Sequence, residues 1–121
     1  MAFTINALFV STAAPEANRN SSGVAEQRGA MTMGRIDITS YTASGEIVPA
    51  AALGLGKLYN AVVFGSESDT YAPRAVIPAS NQRSGTFKID TAGSGTEVSG
   101  ATDVGEFAFI AWGEMLGSGT N

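Results

Sequence analysis

The chain has 121 residues and a net charge of −4 at pH 7, with 44% hydrophobic but only 15% charged residues. It holds no Cys and no His, which excludes disulfides, thiolate or imidazole metal ligation and Ser-His-Asp catalysis. Its seven basic residues are scattered rather than clustered, so the electrostatic footprint for nucleic acid or an anionic membrane is missing.

A chain of this length fits one domain and buries roughly two-thirds of its extended surface. Phe3 to Val10 predicts a strand, with Phe3, Ile5, Ala7 and Phe9 on one face and Thr4, Asn6, Leu8 and Val10 on the other. The polar stretch 13–29 reads as a loop or arm reaching a neighbour, because a structureless loop of that length needs a reason. Ile36 and Ile38 alternate with Arg35, Asp37 and Thr39 in a half-buried strand that runs to about Tyr41. Ser44-Gly45 predicts a hairpin-like turn, Glu46-Ile47-Val48 a short return, and Pro49 its stop.

Ala50 to Leu53 has helical composition for about one turn, with Gly54 as its C-terminal stop. It reads as a plug at the open end of a sheet or barrel. Lys57 to Phe64 is apolar on both sides and is expected to lie centrally in a sheet. Tyr71 to Ile77 is extended, and Pro73 with the following Pro78 marks it as an edge strand or an irregular stretch. Thr86 to Asp90 alternates, with Phe87 and Ile89 inward. Residues 91–102 form a loop, and Glu106 to Trp112 is the last strand, apolar on both faces. The tail 117–121 is expected to be flexible. Short strands separated by turns, without a long helix, predict an all-β single-domain fold: an antiparallel β-sandwich or barrel with a one-turn helical plug.

Motifs for chemistry are weak. Gly54-Leu55-Gly56-Lys57 suggests a phosphate loop, but Ala51 stands where the first Walker glycine belongs and Leu58 replaces the hydroxyl residue. The segment also precedes a strand rather than a helix, so its glycines read as chain geometry. Glu67 with Asp69, and Asp103 with Glu106, offer too few regularly spaced oxygens for a calcium loop and read as solvated tips. No catalytic residue, cofactor or metal site is expected. The aromatics Phe107, Phe109 and Trp112 suit a core or a subunit interface. Arg19 and Arg28, in the 13–29 stretch, are candidate rim contacts to acidic patches.

Two segments carry a resemblance. "SYTASGEIVPAAALGLGKLYNAVV" combines a strand ending in Tyr-Thr, a turn with Gly, a short apolar strand, an Ala/Leu-Gly-Leu plug and a further strand; Phe107, Phe109, Ala111 and Gly113 supply a Phe-x-Phe-x-Ala-x-Gly ending. Together they resemble small structural proteins of tailed bacteriophage virions, most closely the capsid decoration, or cement, proteins. Ser44 departs from the pattern, which often has Gly there. The resemblance implies a non-catalytic virion protein on the capsid surface, made in the host cytoplasm. It implies the major capsid protein and further copies of itself, as a homotrimer, for partners. Two other roles stay open: a head–tail connector, tail or baseplate subunit, and a carbohydrate-binding receptor module. The N-terminus shows no secretory pattern, and no apolar run reaches the ~20 residues of a membrane helix, so neither export nor a membrane partner is expected.

Overall fold

The computed structural model describes residues 2–12 and 29–116. Seven strands follow in order: β1 (Ala2–Thr12), β2 (Gly29–Ser40), β3 (Glu46–Pro49), β4 (Leu55–Phe64), β5 (Tyr71–Val76), β6 (Ser84–Thr91) and β7 (Gly105–Met115). One 3-10 turn, Ala50–Leu53, lies between β3 and β4. The strands form two antiparallel sheets, a four-stranded one in the order β1-β2-β7-β4 and a three-stranded one in the order β3-β6-β5. The expected all-β sandwich with its one-turn plug is therefore the observed architecture. No helix among the described residues is long and apolar enough to cross a membrane. The arm expected at 13–29 lies outside the described residues apart from Gly29, which opens β2. Arg19, Arg28 and the tail 117–121 lie outside them as well.

The core forms where the inward faces meet. Ile36 and Ile38 of β2, Leu55, Leu58 and Val63 of β4, and Phe107, Phe109 and Ala111 of β7 come from the larger sheet. Val48, Phe87 and Ile89 come from the smaller one. The β2, β6 and β7 sets follow the two-residue period of a pleated strand, as the alternating side-chain direction requires, whereas β4 breaks it. Val98 and Val104 carry the long loop before β7 into the same core.

The Ala-Leu plug is a crossing. β3 belongs to the three-stranded sheet and β4 to the four-stranded one, so the chain changes layers between Pro49 and Leu55. A single buried turn makes that step: Ala50 and Leu53 point into the core. Gly54 ends the turn at φ 80, where its N–H reaches the Ala51 carbonyl oxygen. A side chain is strained in this left-handed region, so glycine there serves the backbone. The same positions that suggested a phosphate loop are thus accounted for by the layer change.

Three expectations need correction. First, Ser44-Gly45 does not close a hairpin: β2 and β3 lie in different sheets, and the turn is a corner between them. Ser44 has φ 78, which explains why glycine suits this position. The Glu97 carboxylate holds the corner, with Oε2 accepting from the Ser44 N–H at 2.8 Å and from the Tyr41 hydroxyl at 2.7 Å. Second, β4 is an edge strand of its sheet, and the central positions belong to β2 and β7. Its apolar outer residues lie on an open face, so two-sided apolarity did not mean two-sided burial. An irregularity between Leu58 and Asn60 turns Leu58, Ala61 and Val63 inward, and Leu58 donates its N–H to the Gln82 carbonyl oxygen. Third, β1 is interrupted between Ile5 and Ala7. One extra residue inverts a two-residue alternation. Phe3 and Ile5 pack against the core, whereas beyond the interruption Phe9 points outward and is 68% exposed.

Candidate functional site

The feature that stands apart is the outer face of the four-stranded sheet. The register places Phe9 opposite Met33, Met33 opposite Ile110, and Ile110 opposite Val62, one apolar row across all four strands. On one side of it Met31 pairs with Trp112, and on the other Ala108 pairs with Phe64. Because directly opposed residues share a face, these side chains form one surface. Phe9, Met31, Met33, Val62, Phe64 and Trp112 are all exposed in the monomer. With strands about 4.8 Å apart and rows about 7 Å apart, and with Ser11, Arg35 and Asn60 interrupting the flanking rows, the apolar positions make a patch of roughly 300 Å². A patch of that size is comparable to the largest on a typical soluble monomer, and such patches are often functional.

Polar groups close the patch at both ends. At one end Arg35 Nε lies 2.6 Å from Glu106 Oε1, and Asn6 Nδ2 donates to Glu106 Oε2. These two hydrogen bonds hold the Glu106 carboxyl below its ordinary range. Asp37 stands opposite Glu106 in the register. Partial burial and then the neighbouring Asp103, Glu106 and Glu67 carboxylates push the Asp37 carboxyl up. At the other end Tyr59 donates to Glu114 Oε2 at 2.6 Å, and Lys57 Nζ lies 3.5 Å from the same oxygen. Desolvation and then the Glu114 hydrogen bond push the Tyr59 phenol up to about 12. The charges at each end are therefore largely engaged with one another, and the middle of the face carries none.

The residues singled out in the sequence divide sharply. Phe107 and Phe109 are buried between the sheets, so they build the core and present nothing to a partner. Trp112, three residues after Phe109 and so of the other parity, is 37% exposed on the outer face. Met31, Met33, Val62 and Phe64 were missed as surface residues. The signal for Val62 and Phe64 was present, since β4 is apolar on both sides, but it was read as central burial.

Glu67 and Glu106 do meet: the Glu106 N–H reaches Glu67 Oε1 at 3.2 Å. They flank a cleft of about 250 Å³ lined by Glu67, Ser68, Tyr71, Asp103, Val104 and Gly105. Among the described residues, however, no group of three or more acidic side chains is arranged to hold a metal ion. A second cleft, about 320 Å³, lies between the start of β4 and the turn before β6, lined by Gly56, Lys57, Ala79 and residues 80–83. No protein-family model, curated protein or solved structure matches the chain.

Proposed function

We propose that this protein is a non-catalytic decoration protein of a tailed-phage capsid, and that it docks on the capsid exterior through the outer face of the four-stranded sheet. The observation carrying this reading is the uncharged row Phe9–Met33–Ile110–Val62 with its flanking Met31, Trp112 and Phe64. The segment resemblance supplies the virion context, and the apolar face supplies a means of attachment. A patch of roughly 300 Å² covers about 600 Å² of total surface when docked, below the ~1,200–2,000 Å² of a standard stable interface. One copy alone would hold weakly. Many copies on a repeating shell gain from multivalency, and each adds to the free energy needed to separate neighbouring capsomers.

The test is co-sedimentation with expanded capsids that lack the protein. Met33→Asp and Trp112→Asp should abolish binding while leaving the thermal transition nearly unchanged. Ile47→Asp, on the exposed side of the smaller sheet, should bind as the parent does. Equal binding by all three variants would remove the sheet face from the mechanism.

One observation favours a second reading, a carbohydrate-binding module: Trp112, Tyr59 and Phe64 are exposed aromatics. Aromatic faces accept sugar rings by stacking. Saturable quenching of the single tryptophan by added oligosaccharides would favour that role over the capsid one.

A further inference from the structure

We propose that β1 is a pairing edge, and that its occupant is β1 of a second copy, joined antiparallel about a two-fold axis through Phe9. This is independent of the capsid reading and stands on how the four sheet edges differ.

A sheet edge presents unpaired N–H and C=O groups, and stable proteins blunt it by shortness, proline, charge, bulges or a covering loop. Three of the four edges here carry such devices. β3 is four residues long and ends in Pro49. β5 holds Pro73 and Arg74 within six residues. β4 has two irregularities, and the Gln82 carbonyl oxygen takes its Leu58 N–H. β1 differs: it runs for 11 residues with neither proline nor charge, and its two register shifts against β2, between Ala2 and Phe3 and between Ile5 and Ala7, both lie in its first half. The six residues from Ala7 to Thr12 then pair in unbroken register with β2.

The side chains point the same way. β1 belongs to the larger sheet, and its inner face overhangs the Gly54 corner. Leu8 and Val10, on that inner side, are 40% and 53% exposed, while Phe9 on the outer side is 68% exposed. Three successive large apolar residues thus stand open on both faces of the edge beyond the Ile5–Ala7 interruption. A ligand covering one face would leave the other wet, whereas an added strand brings neighbours to both.

The occupant follows from charge and register. A strand with no charge meets no like-charge repulsion when it faces itself. The other three edges are blunted, so self-pairing is left to β1 with β1. With both sandwiches on the same side of the extended sheet, Phe9 faces its own copy, and Leu8 faces the partner's Val10. Apolar then meets apolar on both faces, and the four-stranded sheet continues as eight strands. With the two-fold at Phe9 the paired edge runs from residue 6 to residue 12, about 24 Å, and a sheet about 10 Å thick then buries roughly 500 Å² in total, well below the ~1,200 Å² of a standard stable complex. The dimer is therefore concentration-dependent, in place of the trimer the resemblance implies.

Sedimentation velocity of the full chain over a concentration series tests this, with two variants. The parent should pass from one copy to two, and Phe9→Lys should raise the dimer dissociation constant roughly tenfold or more by setting like charges opposite one another. The chain has no cysteine, so Phe9→Cys should form an intermolecular disulfide under mild oxidation. Ile47→Cys, also well exposed but on the other sheet, should not at the same concentration. Hydrogen exchange of the parent guards against misfolded variants: alternate amides of 7–12 should slow as concentration rises. A parent that stays a monomer, a species of three copies, a dimer indifferent to Phe9→Lys, or equal crosslinking of the two cysteine variants would each overturn the proposal.

Discussion

The outer faces of the two sheets obey the same alternation and end in opposite chemistry. On the three-stranded sheet the outer residues of β5 and β6 are Ala72, Arg74 and Val76 and Thr86, Lys88 and Asp90, and Arg74 Nε lies 3.1 Å from Asp90 Oδ2. On the four-stranded sheet the corresponding positions hold Phe9, Met31, Met33, Ile110, Val62 and Trp112. Both faces are open in the monomer, so burial within the fold explains neither. The first is mostly polar, with Ile47 and Val76 exposed on it, and the second is mostly apolar between its charged ends. A sandwich needs only its inner faces to be apolar. An apolar outer face is therefore not required by the packing of the two sheets against each other.

The largest way to break the contrast is to exchange inner for outer on a single strand. Phe107→Ala on the buried side of β7 should cost about 3–5 kcal/mol, because it leaves a cavity where both sheets meet. Trp112→Ala on the outer side of the same strand should cost about 1 kcal/mol or less, since much of its surface is wet already. Thermal or urea unfolding of the two variants compares them directly. Equal losses would mean that the outer face is packed in the folded monomer.

A smaller effect comes from alkali, which reports on each sheet separately. Tyr41, on the side of the three-stranded sheet, accepts from the Ile89 N–H and donates to Glu97. Burial, then the Glu97 hydrogen bond, pushes its phenol up to about 12. Tyr59 on the four-stranded sheet has the same value by desolvation and its bond to Glu114. In each case the folded pKa exceeds the unfolded one, so the unfolded chain loses the proton first as pH rises. The stabilisation is complete below about pH 10 and is lost as pH rises towards 12. Tyr41 should account for on the order of 2 kcal/mol, and the more exposed Tyr59 for a solvent-screened fraction of that. Tyr41→Phe and Tyr59→Phe, unfolded in urea at pH 9 and again near pH 11.5, should each flatten part of this decline. A parent equally stable at both pH values would show that neither phenol is held protonated by the fold.

The smallest change sharpens the comparison from the wet side. Arg74→Ala removes a surface ion pair with an exposed arginine, and the expected loss is about 0.2–1 kcal/mol, shrinking further in high salt. A larger loss would mean that the outer face of the three-stranded sheet also rests on specific contacts.

Much of the fold was legible residue by residue. Phe87 and Ile89 alternate with Lys88 and Asp90, so the inward pair of β6 follows from the pleat alone. Pro73 and Pro78 mark β5 as an edge because proline cannot donate to a ladder. The Ala50–Leu53 turn and its Gly54 stop follow from composition and backbone freedom. The candidate face was less legible. Phe107 and Trp112 look alike in sequence, and only the parity of β7 against the second sheet separates core from surface. The β1 reading failed because the interruption after Ile5 changes parity without a glycine or proline to announce it. The start of β2 was lost in the same way: Ala30 to Gly34 is part of a strand whose inner residues, Ala30 and Thr32, are small.

The sequence by itself determined which stretches are extended, where they turn, and that no imidazole or thiol chemistry is available. These are local properties, set by side-chain shape, backbone freedom and the two-residue period of a strand. Only the tertiary structure decided which strands share a sheet, that the Ser44–Gly45 corner joins two layers, and which apolar face of β4 and β7 is covered. The physical reason is that burial belongs to pairs of surfaces. A strand apolar on both sides carries no mark of which side its own chain will cover.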